Sequence, residues 1–137
     1  MDRKIIITEQ DHTRLSNLLI MLKSQKKFET GYLKALEKEL LRAVKIDSKK
    51  IEPDVVTMNT ELEILDLDNL AKMKIRLVYP EDANIRKGQI SVISPLGSAL
   101  IGYKSGTSLS YSTPKGQKKI RIISILNQPE AKGNYYL

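Results

Sequence analysis

The sequence predicts an α+β chain. A short antiparallel coiled-coil hairpin, residues 1–50, is followed by a small antiparallel β-sheet domain with one short helix, residues 51–137. Three observations lead there. Leucines recur at three- and four-residue spacing in the first part of the chain, the signature of an amphipathic helix. A polar stretch, Asp47-Ser48-Lys49-Lys50-Ile51-Glu52-Pro53, then ends that pattern, because proline disfavours helix at the residue before it. Beyond it come short β-branched runs bounded by turn residues.

The elements follow in order. Ile5-Ile6-Ile7 either adds a strand to the sheet or caps the base of the hairpin, and the strand is the favoured reading. Residues 8–46 read as helical. Thr8 is a good N-cap, and Asp11 three positions on completes a variant of the capping box. Leu15, Leu18, Leu19 and Leu22 form one apolar stripe, and Leu33, Leu36, Leu40 and Val44 form a second. Residues 23–31 interrupt them. Two helices of about 15 residues would each be roughly 22 Å long. An isolated pair that short is marginal, so its base should pack on the rest of the chain.

In the second half the β-rich runs are residues 55–58, 61–65, 74–79, 89–93, 108–112 and 119–125. Thr113-Pro114-Lys115-Gly116 fits a tight turn joining the last two as a hairpin. Ser94-Pro95 halts the fourth run, since proline has no amide hydrogen for a ladder. A single helical turn is expected from Gly97 to Gly102. Tyr135-Tyr136 reads as an anchor for the tail.

Composition narrows function. There is no Cys, which excludes disulfides and thiolate chemistry. No apolar run is long enough for a signal peptide or for a membrane span of about 20 residues. A soluble, cytoplasmic, monomeric protein without membrane contact is expected. The net charge is +7, with 12 Lys/Arg against 7 Asp/Glu in residues 1–50 and 11 against 9 beyond. A basic arm on a nearly neutral body suits nucleic acid, an acidic protein surface, or plain solvation. The one histidine, His12, reads as a solvated surface group. No phosphate loop, metalloprotease or nucleophile-elbow motif occurs. The carboxylates in Asp66-Leu67-Asp68 and Glu81-Asp82 suit turns better than metal. No catalytic residue, metal site or cofactor is expected, and the chain reads as a binding protein.

The stretch Ser94-Pro95-Leu96-Gly97-Ser98-Ala99-Leu100-Ile101-Gly102, then Gly106 and Thr113-Pro114-Lys115-Gly116, resembles the C-terminal FKBP-like domain of the bacterial Gre transcript-cleavage factors. The likeness is closer still to the Rnk family, regulators of nucleoside diphosphate kinase, which are Gre-like with a shortened coiled coil. Asp54-Val55-Val56-Thr57-Met58-Asn59, Leu77-Val78-Tyr79-Pro80, Gln128-Pro129-Glu130-Ala131 and the opening Ile5-Ile6-Ile7 carry it.

This resemblance implies binding to RNA polymerase, with the globular half docked on a coiled coil of the largest subunit at the secondary channel rim and the hairpin pointing inward. The implied polymerase-binding residues are Ser94, Pro95, Leu96 and Gly97. Gre factors stimulate cleavage through two acidic tip residues that help hold magnesium. The tip here, Lys23-Ser24-Gln25-Lys26-Lys27-Phe28-Glu29, has a single acid, Glu29, among Lys23, Lys26 and Lys27. Ammonium groups repel a hard cation, so competition with Gre factors without cleavage stimulation is expected. Two other readings remain: a basic module making nonspecific nucleic-acid contact, and a peptidyl-prolyl isomerase suggested by FKBP-like fold alone.

Overall fold

The computed structural model describes residues 4–26 and 31–135. Lys27 and Glu29 of the expected tip, and Tyr136, lie outside the described residues. The elements are β1 (Ile6–Thr8), α1 (Glu9–Ser24), α2 (Gly31–Arg42), β2 (Val44–Ile46), β3 (Glu61–Asp66), β4 (Lys72–Val78), β5 (Gln89–Ser91), α3 (Pro95–Leu100), β6 (Ser108–Thr113) and β7 (Gly116–Asn127). The architecture is α+β, a helical pair followed by a sheet that carries one short helix.

Helix α1 starts where its cap residue predicts. Thr8 Oγ1 accepts from the Asp11 amide at 3.0 Å, satisfying one of the donors that a helix start leaves orphaned. The Asp11 carboxylate serves a longer-range purpose and accepts from the Met58 amide at 3.1 Å. Leu15, Leu19 and Leu22 of α1 and Leu33, Leu36 and Leu40 of α2 are buried in one cluster. Polar contacts also join the helices, among them the Lys23–Glu37 ion pair and His12 Nε2, which donates to the Leu40 carbonyl at 2.9 Å. His12 is therefore not the solvated surface group its sequence suggested. It shares the Leu40 carbonyl, in the last turn of α2, with the Ala43 amide at 3.4 Å.

Val44 leaves the expected leucine seam. Helix α2 ends at Arg42, and Val44 lies in β2, 45% exposed and opposite Ile6 in a parallel pairing. The N-terminal isoleucines do form a strand, but β1 joins β2 and not the main sheet. Val44 and Ile46 are β-branched and suit extended backbone once the seam has run out. Ile5 is buried against Gly102, whose φ is +84° and where an added Cβ would fall 2.5 Å from the Ile5 Cβ. Only glycine fits there.

The main sheet has the order β5-β4-β3-β7-β6. Strand β3 pairs antiparallel with β4 and β7, and Thr113 faces Gly116 across the expected β6–β7 turn. Strand β5 runs parallel to β4, so the sheet is mixed where an antiparallel one was expected. The reason is the connection from Tyr79 to Gly88, which carries two 3₁₀ turns, Pro80–Asp82 and Ile85–Lys87, and reverses the chain before β5 begins. The expected strand at Val55–Met58 is also absent. That segment is wholly buried and makes one bridge, Val55 to Lys104. Its polar groups find other partners: the Val56 amide meets the Tyr103 carbonyl at 2.9 Å, and the Thr57 amide meets Thr60 Oγ1 at 3.0 Å. Residues 102–105 run antiparallel beside it, with the Gly102 amide on the Val56 carbonyl and the Ser105 amide on the Asp54 carbonyl, both at 2.9 Å, but the pairing is too short to make a strand.

One sheet face, with Leu62, Ile64, Ile75, Leu77, Ile120 and Ile122, packs with Val92, Leu100, Ile101 and the hairpin leucines in one core. Each such side chain contributes about 2 kcal/mol on burial. The short arm is thus held by the body, as its length requires.

Candidate interaction surface

The residues after β5 build a rigid ledge. Ser94 caps α3: its Oγ accepts from the Gly97 amide at 3.0 Å and donates to the Ser91 carbonyl at 2.7 Å. Pro95 occupies the first helical position, where a missing amide hydrogen costs nothing and its φ is already helical. The proline therefore opens the short helix, which spans Pro95–Leu100 and not Gly97–Gly102. A Cβ on Gly97 would sit 1.9 Å from the Ser91 carbonyl oxygen, so α3 rests directly on backbone. Of the four expected contact residues, Gly97 is buried and presents no surface. Ser94 and Pro95 are half-exposed, while Leu96 is half-buried against the core.

Helix α3 packs against α2 and β6. Between these three elements lies an open groove of about 430 Å³. Pro95 and Ala99 form one wall, Tyr32, Ala35 and Glu39 of α2 another, and Leu109 and Tyr111 of β6 the floor. Glu39 Oε1 lies 3.4 Å from an Arg42 guanidinium nitrogen, but its Oε2 is shielded from solvent and has no hydrogen-bond partner. A shielded carboxylate oxygen in an apolar groove is costly until a donor reaches it. The site can therefore take an apolar side chain together with a cation or amide from a partner.

A polar junction fixes the arm to the body. Asp11 is 2% exposed, and burial pushes its carboxyl up to about 6; nearby Glu130 adds to the shift, while the Met58 amide and Arg14 oppose it. Glu130 is held by Thr57, whose hydroxyl donates at 2.7 Å. The Tyr79 hydroxyl, raised by burial, lies beside Asp11 and Arg14 without close hydrogen-bond geometry to either. Among the described residues, no group of three or more His, Cys, Asp or Glu is placed to hold a metal ion. Nor is any described helix long and apolar enough to cross a membrane.

The family model for the Rnk N-terminus matches residues 3–44, and the one for transcription elongation factor GreA/GreB, C-terminal part, matches residues 50–127. The regulator of nucleoside diphosphate kinase of Escherichia coli K12 is 33% identical over 135 residues, covering 97% of this chain and 96% of that protein. The chain belongs to the Rnk family of GreA/GreB-like proteins. Transcription elongation factor GreA of Thermodesulfovibrio yellowstonii is 32% identical over 103 residues, 75% of this chain and 65% of that factor's length. A solved GreA/GreB elongation factor from Nitrosomonas europaea superposes with a TM-score of 0.74 at 31% identity, over 92% of this chain and all of that one.

In this Rnk-type chain the described part of the arm tip is less free than its lysines suggested. Lys23 braces α1 against α2 through Glu37. Lys26, with φ +57°, is exposed and closes the end of α1 in a left-handed conformation. Sequence reasoning missed Tyr32, Glu39, Leu109 and Tyr111 as surface residues. No motif marks them, because the groove joins segments far apart in the chain.

Proposed function

We propose that this Rnk-type chain is a non-enzymatic, monomeric, cytoplasmic regulator of transcription that binds RNA polymerase. Residues 51–137 dock on the largest-subunit coiled coil at the secondary channel rim, and residues 1–50 form a short arm that enters the channel. Occupying that rim competes with Gre factors without stimulating transcript cleavage. The groove between α2, α3 and β6 carries the reading: it lies beside Pro95, on the ledge that the Gre resemblance points to. Its apolar walls suit the tip of a helical partner. The unpaired Glu39 oxygen would take a donor from an arginine or backbone amide there. The short arm supports the second half of the proposal, since residues 23–26 at its tip contain no acid and the nearby Glu37 is engaged by Lys23.

The direct test is capture of core RNA polymerase on this chain, with and without excess Gre factor. Capture that Gre displaces is the expected result; a folded chain that captures none would overturn the proposal.

A further inference from the structure

Lys72 and Lys74 of β4 and Lys119 and Arg121 of β7 are exposed on the sheet face turned away from the core, and the β6–β7 half of that face has a distinct chemistry. Ser108, Ser110 and Ser112 are exposed on β6, and Gln117, Lys119 and Arg121 are exposed on β7. Neither strand contains a carboxylate. The register sets Ser108 opposite Arg121, Ser110 opposite Lys119 and Ser112 opposite Gln117. Arg121 Nε donates to Ser108 Oγ at 3.1 Å, which holds the guanidinium down while its outer nitrogens stay open to solvent. The cation of Lys118 does not belong to this face: it points the other way and is paired with Asp66 at 2.9 Å. On the neighbouring β3, Leu65 stands opposite Arg121. The carboxylates of this face, Glu61 and Glu63, lie further along β3, among Lys72, Lys74 and Arg76 of β4. Arg76 reaches Glu61 at 3.4 Å.

We propose that the outer face of the β6–β7 hairpin, with Lys119, Arg121 and the serine row, binds the phosphate backbone of duplex DNA without reading sequence. Alternate residues on a strand stand roughly 6.8 Å apart, near the spacing of successive phosphates on a polynucleotide. Lysine, arginine and serine hydroxyls are the usual donors to phosphate oxygens. The face carries no aromatic ring on β6 or β7, since Tyr111 turns inward to the groove. Stacking of unpaired bases, which sustains single-strand binding, therefore has no platform here, and a duplex with its phosphates outside fits better. Ser110, Ser112 and Gln117 also border the groove, whereas Lys119 and Arg121 do not, so the two cations stay available when the groove is filled. Weak phosphate contact gains strength when another site already tethers the chain nearby.

The test is fluorescence anisotropy with a labelled mixed-sequence DNA duplex, titrated from low to moderate salt, beside single-stranded DNA and RNA of the same length. Three cations, counting Lys115 in the turn, predict a slope of log affinity against log salt of about −2.7. Lys119→Glu with Arg121→Glu should weaken duplex binding at least tenfold and flatten that slope by about 2. Lys119→Gln with Arg121→Gln should show the same direction if charge reversal disturbs the fold by circular dichroism. Lys23→Glu with Lys26→Glu should leave duplex binding unchanged. Duplex binding that survives the β7 changes, or that falls with the arm changes instead, overturns the assignment. So does tighter binding of single strands, or a β7 variant that loses polymerase capture while keeping DNA. Polymerase capture by a β7 variant that no longer binds duplex keeps this proposal separate from the groove.

Discussion

The Asp11 carboxylate in the first turn of α1 accepts a hydrogen bond from the Met58 amide at 3.1 Å, joining residues 47 positions apart. This contact ties the arm to the most buried segment of the body. Its weakness is charge, because burial raises the Asp11 carboxyl to about 6 from an ordinary 3.8. Between those values the folded chain holds a proton that the unfolded chain has released. Stability from this group is full below about pH 4 and is lost as pH rises through about 6, by on the order of 3 kcal/mol. Asp11→Asn keeps an acceptor for Met58 and cannot ionise. It is expected to raise stability at pH 7.5 and to flatten the pH dependence between 4 and 6.5. Urea unfolding at a series of pH values measures both, and a destabilised variant at pH 7.5 would contradict this account.

Gly97 is where α3 meets β5 with no space between them. A methyl group there would sit 1.9 Å from the Ser91 carbonyl oxygen, and the obstacle is backbone that cannot rotate away. Gly97→Ala is expected to cost about 3 kcal/mol, an overpacking penalty at the upper end of its usual range. It should also weaken polymerase capture, because the Pro95 ledge moves with the helix. A thermal melt within a degree of the parent would show that α3 is less tightly seated than described.

The legible parts of the fold were those whose signal is local. Thr8 announced the start of α1, and the leucine spacing placed both helices, because caps and periodicity act within a few residues. The β6–β7 hairpin was likewise written in Thr113-Pro114-Lys115-Gly116. Val44 and the parallel pairing of β5 were not readable, since each is decided by a partner remote in sequence. Gly97 illustrates the same limit at the candidate site. The Gre resemblance implied a contact residue there, whereas Gly97 is buried and lets α3 approach Ser91. Glu39 and Tyr111 meet only through tertiary packing, so nothing in their own segments marked the groove.

Ala35 offers a clean test of that groove. It is exposed on α2 and lines the groove without entering the core. Ala35→Arg retains helix propensity and fills the space with a long charged side chain. Polymerase capture should fall at least tenfold while the melting temperature stays within about 2 °C, the scale expected for exposed surface changes. Leu96→Asp is a poorer probe, because Leu96 is half-buried against the core and its replacement would also destabilise the fold. Unchanged capture by folded Ala35→Arg would remove the groove from the interface.

The arm gives the final expectation, that this chain binds polymerase and does not stimulate transcript cleavage. Helix α1 has 16 residues and α2 has 12. At 1.5 Å per residue these span about 24 and 18 Å, a short reach toward a buried active site. Chemistry points the same way. Lys23 is engaged with Glu37 and Lys26 is exposed, so the described tip presents ammonium where magnesium needs oxygen ligands. Stalled elongation complexes carrying 3′-labelled RNA measure the outcome, with a Gre factor as positive control. This chain alone should release no 3′ fragments, and titrating it against Gre should slow Gre-stimulated cleavage in proportion to occupancy. Substituting Ala35→Arg should abolish that slowing, because inhibition and capture depend on the same groove. Robust cleavage by the chain alone would overturn regulation by occupancy and make Glu29→Gln the next variant to measure.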